Sequence, residues 1–518
     1  MWLSKLIDAA TWPGAKLVPT GDVEITGITE FHDRVQPGWL FAARQGRTRD
    51  GRDFIDEAIA RGAAAVLTDE PAELRVPQVS LIKESTIVTA KGYDFFVDIS
   101  TAIGHLCQAF HGHPSRSMIV VGVTGTNGKT TTCWMTRQLL EAIGQTTGLV
   151  STVAVDDGSR STQSRYTTPP AEELAASLAA MRDNGCTAAV LELSAHGLHQ
   201  DRAAGVELAA AGWTTLSQDH LDHFDSMYEY VDAKLDILKM MDDECSIVIF
   251  EDTFAKVVDV YGDFYGDFYS DQAESWLGDG CRWTQTPGDR SPWHVLQPID
   301  PAATIDLPSG IAVPPGSLAT LPPHDRRNAL MALELVAGAI KATPEQVATL
   351  INELPRLTRP PGRMEEVPCP GGGRVLVDYA HTPHALESVI AAARSVTPGH
   401  LIVVTGAGGN RDKFKRPAMG TALRPADYVI LTSDNPRSEN PEQIADSIAS
   451  FMDQTERIYI EDRRKAIRLA AEWAVSDPAA TVIIAGKGHE QTQEFADRTV
   501  PFCDREVATE CIAELTGS

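Results

Sequence analysis

Long apolar runs are missing from this 518-residue chain. None approaches the roughly 18 consecutive apolar residues that a membrane-spanning helix needs, so no membrane insertion is expected. The opening Met1-Trp2-Leu3-Ser4-Lys5 lacks a basic segment followed by an apolar core, which argues against a secretory signal and for a cytoplasmic address. Cysteine is thinly spread: Cys107, Cys133, Cys186, Cys245, Cys281, Cys369, Cys503 and Cys511 form no CxxC pair and no short Cys/His cluster. That spacing speaks against a disulfide framework and against zinc, and it fits reduced thiols. Basic residues are outnumbered, 45 Lys and Arg against 71 Asp and Glu, for a formal net charge of -26. Phosphate backbones are held by basic surfaces, so nucleic acid is not expected as a partner. An anionic ligand must instead be gripped locally, by backbone amides, a few Lys or Arg, or a metal.

The length suggests about three domains. In residues 1–112 the runs Trp39 to Ala43 and Ala63 to Leu67 lie between turn-rich stretches, which predicts a small N-terminal α/β domain. From Ser117 an apolar run through Val123 ends in a Gly-rich turn and opens into the helix-like Lys129 to Ile143. Ala188 to Leu191, Leu208 to Trp213 and Ser246 to Phe250 follow, alternating with helical segments. This is the pattern of a parallel sheet wound with helices, here a central domain over 113–358. Within it, 251–325 is rich in Pro, Gly and Asp and carries the echo Tyr261-Gly262-Asp263-Phe264, Tyr265-Gly266-Asp267-Phe268. It reads as strands and loops of an insertion, and Lys83 to Ser100 as a second, polar insert. The Pro/Arg-rich Leu354 to Pro361 reads as a linker. Beyond it, Val375 to Val377, Leu401 to Val404, Tyr428 to Leu431 and Val482 to Ala485 each end in a polar, Gly- or Asp-bearing loop. That predicts a Rossmann-like C-terminal α/β domain over 359–518, with ligands at the carboxyl ends of its strands.

The chemistry starts at Thr124-Gly125-Thr126-Asn127-Gly128-Lys129-Thr130-Thr131, between a strand and a helix. Backbone N–H groups and the helix dipole there cradle phosphates, Lys129 reaches the terminal phosphates, and Thr130 ligates magnesium. The full GxxxxGK[ST] spacing is not met, because Val123 holds the first Gly position. In Leu191-Glu192-Leu193-Ser194-Ala195-His196-Gly197-Leu198, Glu192 falls just past an apolar strand, within reach of a metal beside that loop. A strand-end Glu is also a common solvated or capping residue.

The form TGTNGKTT resembles the phosphate loop of Mur ligases and their folylpolyglutamate synthase relatives, and the resemblance continues for about 370 residues. It implies ATP as co-substrate on Gly125 to Thr131, and magnesium held by Thr130, Glu192, the His220 of Asp219-His220-Leu221-Asp222, and Lys234 carrying a carbon-dioxide-derived carbamate. It implies Lys129, Glu192, His220 and Lys234 as the catalytic set. Thr167, Thr168, Ser194, Gln200 and Arg202 are implied as contacts to the acceptor. Gly362-Arg363-Met364-Glu365 and Asp378-Tyr379-Ala380-His381-Thr382-Pro383 look like nucleotide-contacting elements, with Arg363 and Asp378 near ribose or phosphates.

Asp434-Asn435-Pro436-Arg437 resembles the signature of the MurE branch, which joins meso-diaminopimelate to UDP-MurNAc-L-Ala-D-Glu. A guanidinium fork pairs a carboxylate bidentately while Asp and Asn bind an ammonium. The same four residues also make a turn before a helix capped by Asn440 with Pro441 at its first position. Arg411, Gly486 and Glu490 fall where that branch places its other diaminopimelate contacts. The implied reaction is an ADP-forming amide synthesis through an acyl phosphate, in peptidoglycan precursor synthesis, by a monomer whose partners are these small molecules. Departures from the family pattern include Phe31-His32-Asp33-Arg34, at the place of a DSR-like element of the uridine end, and Tyr166, Ala195, Thr215 and His384. A Mur-like ligase with another acceptor or with L-lysine, and a non-catalytic scaffold, stay open as alternatives.

Overall fold

The computed structural model describes the chain apart from residues 11, 13–14, 47–48, 70–73, 84–86, 89–93, 96–97, 243–244, 266–292, 454 and 518. It divides into two units, residues 1–215 with 228–319 and 328–356, and residues 216–227 with 320–327 and 357–518.

The first unit holds two main sheets. One runs in the order Ala15–Pro19, Gln78–Lys83, Ala65–Thr68, Trp39–Ala42, Gly27–Thr29, antiparallel at its first pair and parallel thereafter. Ala65–Thr68 is buried at every position, as a parallel strand covered on both faces must be. Helix Ile99–Phe110 lies in the same core, with Ile103 and Leu106 among Leu40, Leu67 and Val79. It starts where Asp98 accepts from Thr101 N and Thr101 Oγ1 reaches back to Asp98 N, a capping box. The polar insert before it contains only the short antiparallel pair Ile87–Val88 and Asp94–Phe95 among its described residues.

The larger sheet has the order Ser161–Thr162, Val155–Asp156, Thr147–Val150, Ala188–Glu192, Ile119–Thr124, Ala210–Trp213, Ile247–Phe250, Trp293–Leu296. It is parallel from Thr147–Val150 through Trp293–Leu296, and the two short strands at its other end, Val155–Asp156 and Ser161–Thr162, join by antiparallel pairing. Ile119–Thr124 therefore sits between Ala188–Glu192 and Ala210–Trp213, and the loops leaving these three strands gather at one end of the sheet.

The insertion at 251–325 departs from the expectation of strands and loops. Its first 15 residues, Glu251–Tyr265, form a helix. Composition suggested loops, but Thr253, Phe254 and Val257 recur at helical spacing and are buried, Phe254 meets Trp293 edge-on at 5.0 Å, and Glu251 and Asp252 suit the positive end of the helix dipole. Trp293–Leu296 then adds a parallel edge to the sheet, and Ile305–Asp306 pairs with Ala312–Val313. Cys281 and the second half of the Tyr-Gly-Asp-Phe echo past Tyr265 lie outside the described residues.

The second unit is built on one sheet, ordered Glu365–Val367, Arg374–Asp378, Thr481–Ala485, Leu401–Thr405, Tyr428–Leu431, Glu456–Tyr459, parallel except at the first pair. Successive residues feed opposite faces, as strand geometry requires. Leu376, Val403 and Ile483 join a core with helices Pro383–Arg394, Lys415–Ala422 and Pro441–Ala449. Val375, Val404 and Ile484 join another with helices Arg463–Ser476 and Asp504–Thr516. Thr481–Ala485 is inserted between the first and second parallel strands. The loops bearing Gly486, Arg411 and Asp434 thus leave three adjacent strands at their carboxyl ends, where open α/β sheets place ligands. No helix among the described residues is long and apolar enough to cross a membrane.

Candidate active site

The phosphate-loop candidate, 124–131, joins Ile119–Thr124 to helix Lys129–Ala142. Gly125 has φ +136°, and a Cβ there would stand 2.0 Å from Thr214 Oγ1. The strand end at 214–215 is what shapes the loop. Thr126 N donates to Thr215 O at 2.8 Å, Asn127 N to Thr215 Oγ1 at 2.9 Å, and Thr214 Oγ1 to Asn127 O at 2.6 Å. The first turn of helix Lys129–Ala142 has no intrahelical acceptor for its N–H groups, which makes it the anion-facing end. Asn328 Oδ1 accepts from Thr132 Oγ1 at 3.3 Å and backs the helix start.

Two ammonium groups converge on this loop. Lys129 Nζ donates to Gly125 O at 3.0 Å and Thr126 O at 2.9 Å, and the buried Lys234 Nζ donates to the same Gly125 carbonyl at 2.8 Å. Lys234 also lies 4.4 Å from the ring of Tyr230, whose hydroxyl is 3.2 Å from Thr126 Oγ1. In a chain of net charge -26, this is a local concentration of positive charge suited to a polyphosphate.

Beside it, buried Glu192 ends the neighbouring strand, and Thr130 Oγ1 donates to its Oε1 at 3.0 Å. Thr152, which no sequence motif singled out, donates from N to Oε2 at 2.8 Å and from Oγ1 to Oε1 at 2.9 Å. It lies two residues beyond strand Thr147–Val150, so the strand-end rule that picked out Glu192 would also have found it. A hydroxyl and a carboxylate are hard oxygen donors of the kind magnesium takes. Among the described residues no three His, Cys, Asp or Glu side chains form a metal-holding group. Magnesium commonly binds through one or two carboxylates plus substrate phosphates, so the Thr130–Glu192 pair fits it.

The acceptor candidates form one network. Thr168 Oγ1 donates to Glu192 O at 2.9 Å and accepts from Ser194 N at 2.9 Å, while Ser194 Oγ caps helix Ala195–His199 by accepting from Gly197 N. Arg202 Nη1 donates to Thr168 O at 2.7 Å, and its Nε and Nη2 donate to Gln200 Oε1 at 3.2 and 2.9 Å. Thr167 Oγ1 lies within hydrogen-bond distance, 3.0 Å, of Thr152 Oγ1. At the altered 31–34 segment, His32–Arg34 is a turn of 3-10 helix. Arg34 lies 4.2 Å over the Phe31 ring and pairs with Glu173 at 2.6 Å. Next to it Thr29 Oγ1 donates to Glu172 Oε1 at 3.0 Å. Burial, with Glu30 nearby, pushes the Glu172 carboxyl up to about 7.

In the second unit, His220 has φ +58° and its Nε2 lies 3.4 Å from Asp219 Oδ2, with Lys415 Nζ 3.6 Å from Oδ1. Burial alone would raise the Asp219 carboxyl, but His220, Lys415 and His381 outweigh it and hold it well below the usual carboxylate range. Desolvation, aided by Lys415, pushes His381 down to about 4. Asp378 Oδ2 accepts from Met364 N and Oδ1 from Ala380 N, both at 2.7 Å, which fixes the turn that presents Tyr379. Arg363 stacks on that ring at 4.5 Å.

Around Asp434–Arg437 the structure gathers every residue expected to hold the amino acid. Asn435 Nδ2 donates to Glu490 Oε2 at 3.0 Å. Gly486 has φ +118°, and a Cβ there would lie 2.5 Å from Asp434 Oδ2. Arg437, at φ +51°, donates from Nη1 to Gly409 O at 2.9 Å and pairs through Nε with Glu494 at 2.8 Å. Arg411 Cγ and Arg437 Nη1 both flank Gly408, at 3.6 and 3.2 Å from where its Cβ would stand. Pro436 holds Gly409 close by its carbonyl. Two further residues belong here. Fully buried Lys487 binds Glu490, and Arg463 forms a buried bidentate pair with Asp504 while donating to Ala485 O. Burial, then the Asp434 carboxylate, raises Glu490.

Fold and loop together define an α/β enzyme with a phosphate-loop turn on one wound sheet and a cluster of carboxylates and guanidinium groups at the strand ends of the other. The description "Mur ligase family, catalytic domain" matches residues 24–111, "Mur ligase middle domain" 123–261, and "Mur ligase, glutamate ligase domain" 362–488. The "UDP-N-acetylmuramoyl-L-alanyl-D-glutamate--2,6-diaminopimelate ligase" of Parasynechococcus marenigrum is 36% identical over 512 residues, spanning 96% of this chain and 97% of that one. The protein of the same name from Streptomyces coelicolor is 35% identical over 509 residues, 96% of this chain and 94% of its own length. A solved structure under that name aligns with TM-score 0.57 and 26% identity over 95% of this chain and 96% of that one. The chain belongs to the Mur ligase family.

Proposed function

We propose that this protein is the ATP-dependent, ADP-forming ligase that adds meso-2,6-diaminopimelate to UDP-MurNAc-L-Ala-D-Glu in peptidoglycan precursor synthesis. The observation that carries the amino-acid assignment is the pairing of Asn435 with Glu490 beside Asp434, flanked by Arg437 and Arg411. Carboxylates and an amide suit an ammonium, and a guanidinium fork suits a carboxylate, so a ligand with both groups at its far end matches.

Residues 125–131 take the ATP phosphates, with Lys129 at the terminal ones and Arg363 and Asp378 on the nucleoside side. Thr130 and Glu192 would hold magnesium, with His220 and a Lys234 carbamate as further ligands. When bound, the ion neutralises charge on the transferring phosphoryl group. Carbon dioxide would add to the neutral form of the Lys234 amine, releasing a proton to leave a carbamate anion. Thr167, Thr168, Ser194, Gln200 and Arg202 orient the acceptor. Its D-Glu carboxylate attacks the γ-phosphorus, the bond to ADP breaks, and an acyl phosphate forms. The amine of the amino acid, placed by Arg411, Asp434, Asn435, Pro436, Arg437, Gly486 and Glu490, attacks the acyl carbon; phosphate leaves and the amine loses a proton. These residues contribute chiefly orientation and charge placement. We further read the chain as a cytoplasmic monomer of three domains, 1–112, 113–358 and 359–518.

The test is phosphate release with ATP, magnesium and UDP-MurNAc-L-Ala-D-Glu, comparing meso-diaminopimelate with L-lysine. Turnover with diaminopimelate only, lost in Arg437→Ala, is the expected result. Turnover with lysine overturns the amino-acid assignment. No turnover with either favours a different acceptor, the reading the altered 31–34 segment leaves open, or a non-catalytic scaffold.

A further inference from the structure

Lys487 has no exposed surface, yet it carries an ammonium group between two of the side chains proposed to grip the amino acid. Its Nζ donates to Glu490 Oε2 at 2.7 Å and to Asn435 Oδ1 at 3.0 Å. Asn435 Oδ1 also accepts from Glu494 N at 3.0 Å, so both of its lone pairs are committed to protein donors. The amide nitrogen is thereby turned toward Glu490, where Nδ2 donates to Oε2 at 3.0 Å. With Oε2 shared by Lys487 and Asn435, the other oxygen of this 30% exposed carboxylate is the one turned to a ligand.

From this geometry we infer that Lys487 is a positioning residue for the amino-acid substrate, holding Asn435 against Glu490 and so fixing which oxygen of Glu490 meets the substrate's distal ammonium group. The inference rests on the function proposed above and deepens it. Charge supports it. Glu490 is faced by Asp434, Asn435, Lys487 and Arg463, and Arg463 is already committed to Asp504. Burial and the Asp434 carboxylate both favour a protonated Glu490, and Lys487 is the cation that opposes them. A neutral Glu490 would lose its attraction for an ammonium.

The experiment is steady-state phosphate release in the full chain, comparing wild type with Lys487→Met, Glu490→Gln and the double variant. Losing a charged hydrogen-bonding partner at a buried site predicts a KM for diaminopimelate raised about 10- to 50-fold in Lys487→Met. The KM for ATP and the kcat at saturating diaminopimelate are expected within about threefold of wild type. The KM of Lys487→Met should fall more steeply with rising pH than that of wild type, because Glu490 then ionises later. In the Glu490→Gln background the same substitution should cost far less than in wild type, since coupled residues are not additive. That background also removes the buried charge Lys487→Met would strand, so it answers the question if the single variant folds poorly. A wild-type KM in Lys487→Met overturns the inference, as does a parallel loss in kcat and in ATP KM, which marks a purely structural lysine. A wild-type enzyme inactive with diaminopimelate but active with another amine sinks the proposed function itself, and the inference with it.

Discussion

Thr130 and Glu192 stand hydroxyl to carboxylate at 3.0 Å, one opening the helix after Ile119–Thr124 and the other ending the adjacent parallel strand. Strand order alone makes them neighbours, since 62 residues separate them in sequence. Glu192→Gln keeps an oxygen for Thr130 and Thr152 but removes the charge a divalent cation needs. Activity should fall about 10²- to 10³-fold, the size of losing several kcal/mol of charge stabilisation. ADP release measured against magnesium concentration should show half-saturation moved upward, and half-saturation left at the wild-type value would take Glu192 out of the metal site.

Gly125 offers a steric test of the loop. Its φ of +136° is disfavoured for any side chain, and a Cβ would lie 2.0 Å from Thr214 Oγ1. Gly125→Ala should cost about 1–3 kcal/mol in stability and raise the KM for ATP, because Thr214 and Thr215 hold the loop in shape. Gly144→Ala is the control. It has φ +86° but nothing within 4 Å of its Cβ, so it should lower the melting temperature slightly and leave the KM for ATP unchanged.

Much of this was legible from residue order. The phosphate loop, the strand-end Glu192, the Asn440 helix cap and four strands of each wound sheet announced themselves through local chemistry. What was not legible came from pairing across the fold. Thr152 bears on Glu192 only because their strands are adjacent, and Lys487 matters only because a loop from another strand brings Asn435 to it. Helix Glu251–Tyr265 was hidden by the opposite fault, a loop-like composition laid over a helical apolar period.

Glu172 ties stability to pH. Its folded-state carboxyl sits at about 7, driven chiefly by burial, against an ordinary value near 4.5, and Oε2 has no hydrogen-bond partner among the described residues. The folded chain therefore holds this proton where the unfolded chain has released it. The contribution of this group to stability is greatest below about pH 4.5 and declines as pH rises through about 7. Glu172→Gln mimics the protonated form. It should match wild type at pH 4.5 and exceed it at pH 8, by at most about 3 kcal/mol. Urea unfolding at the two pH values checks this, and equal stability of the two proteins at pH 8 would contradict it.

Arg463 and Asp504 form the most deeply enclosed ion pair among the described residues, bidentate at 2.7 and 2.6 Å with neither side chain exposed. Arg463 Nη2 also donates to Ala485 O, the residue before Gly486, so the pair backs the loop proposed to hold the amino acid. Asp504→Ala strands a buried guanidinium and should cost about 3–5 kcal/mol, read as a lower unfolding midpoint. Replacing both, as Arg463→Met with Asp504→Leu, should recover most of that loss, because two desolvation costs vanish together with the attraction that offset them. The recovered stability would not restore the Arg463 hydrogen bond to Ala485 O. The double variant should therefore melt near wild type while showing a raised KM for diaminopimelate and an unchanged KM for ATP. A double variant with wild-type KM for both would show that the pair supports the fold alone.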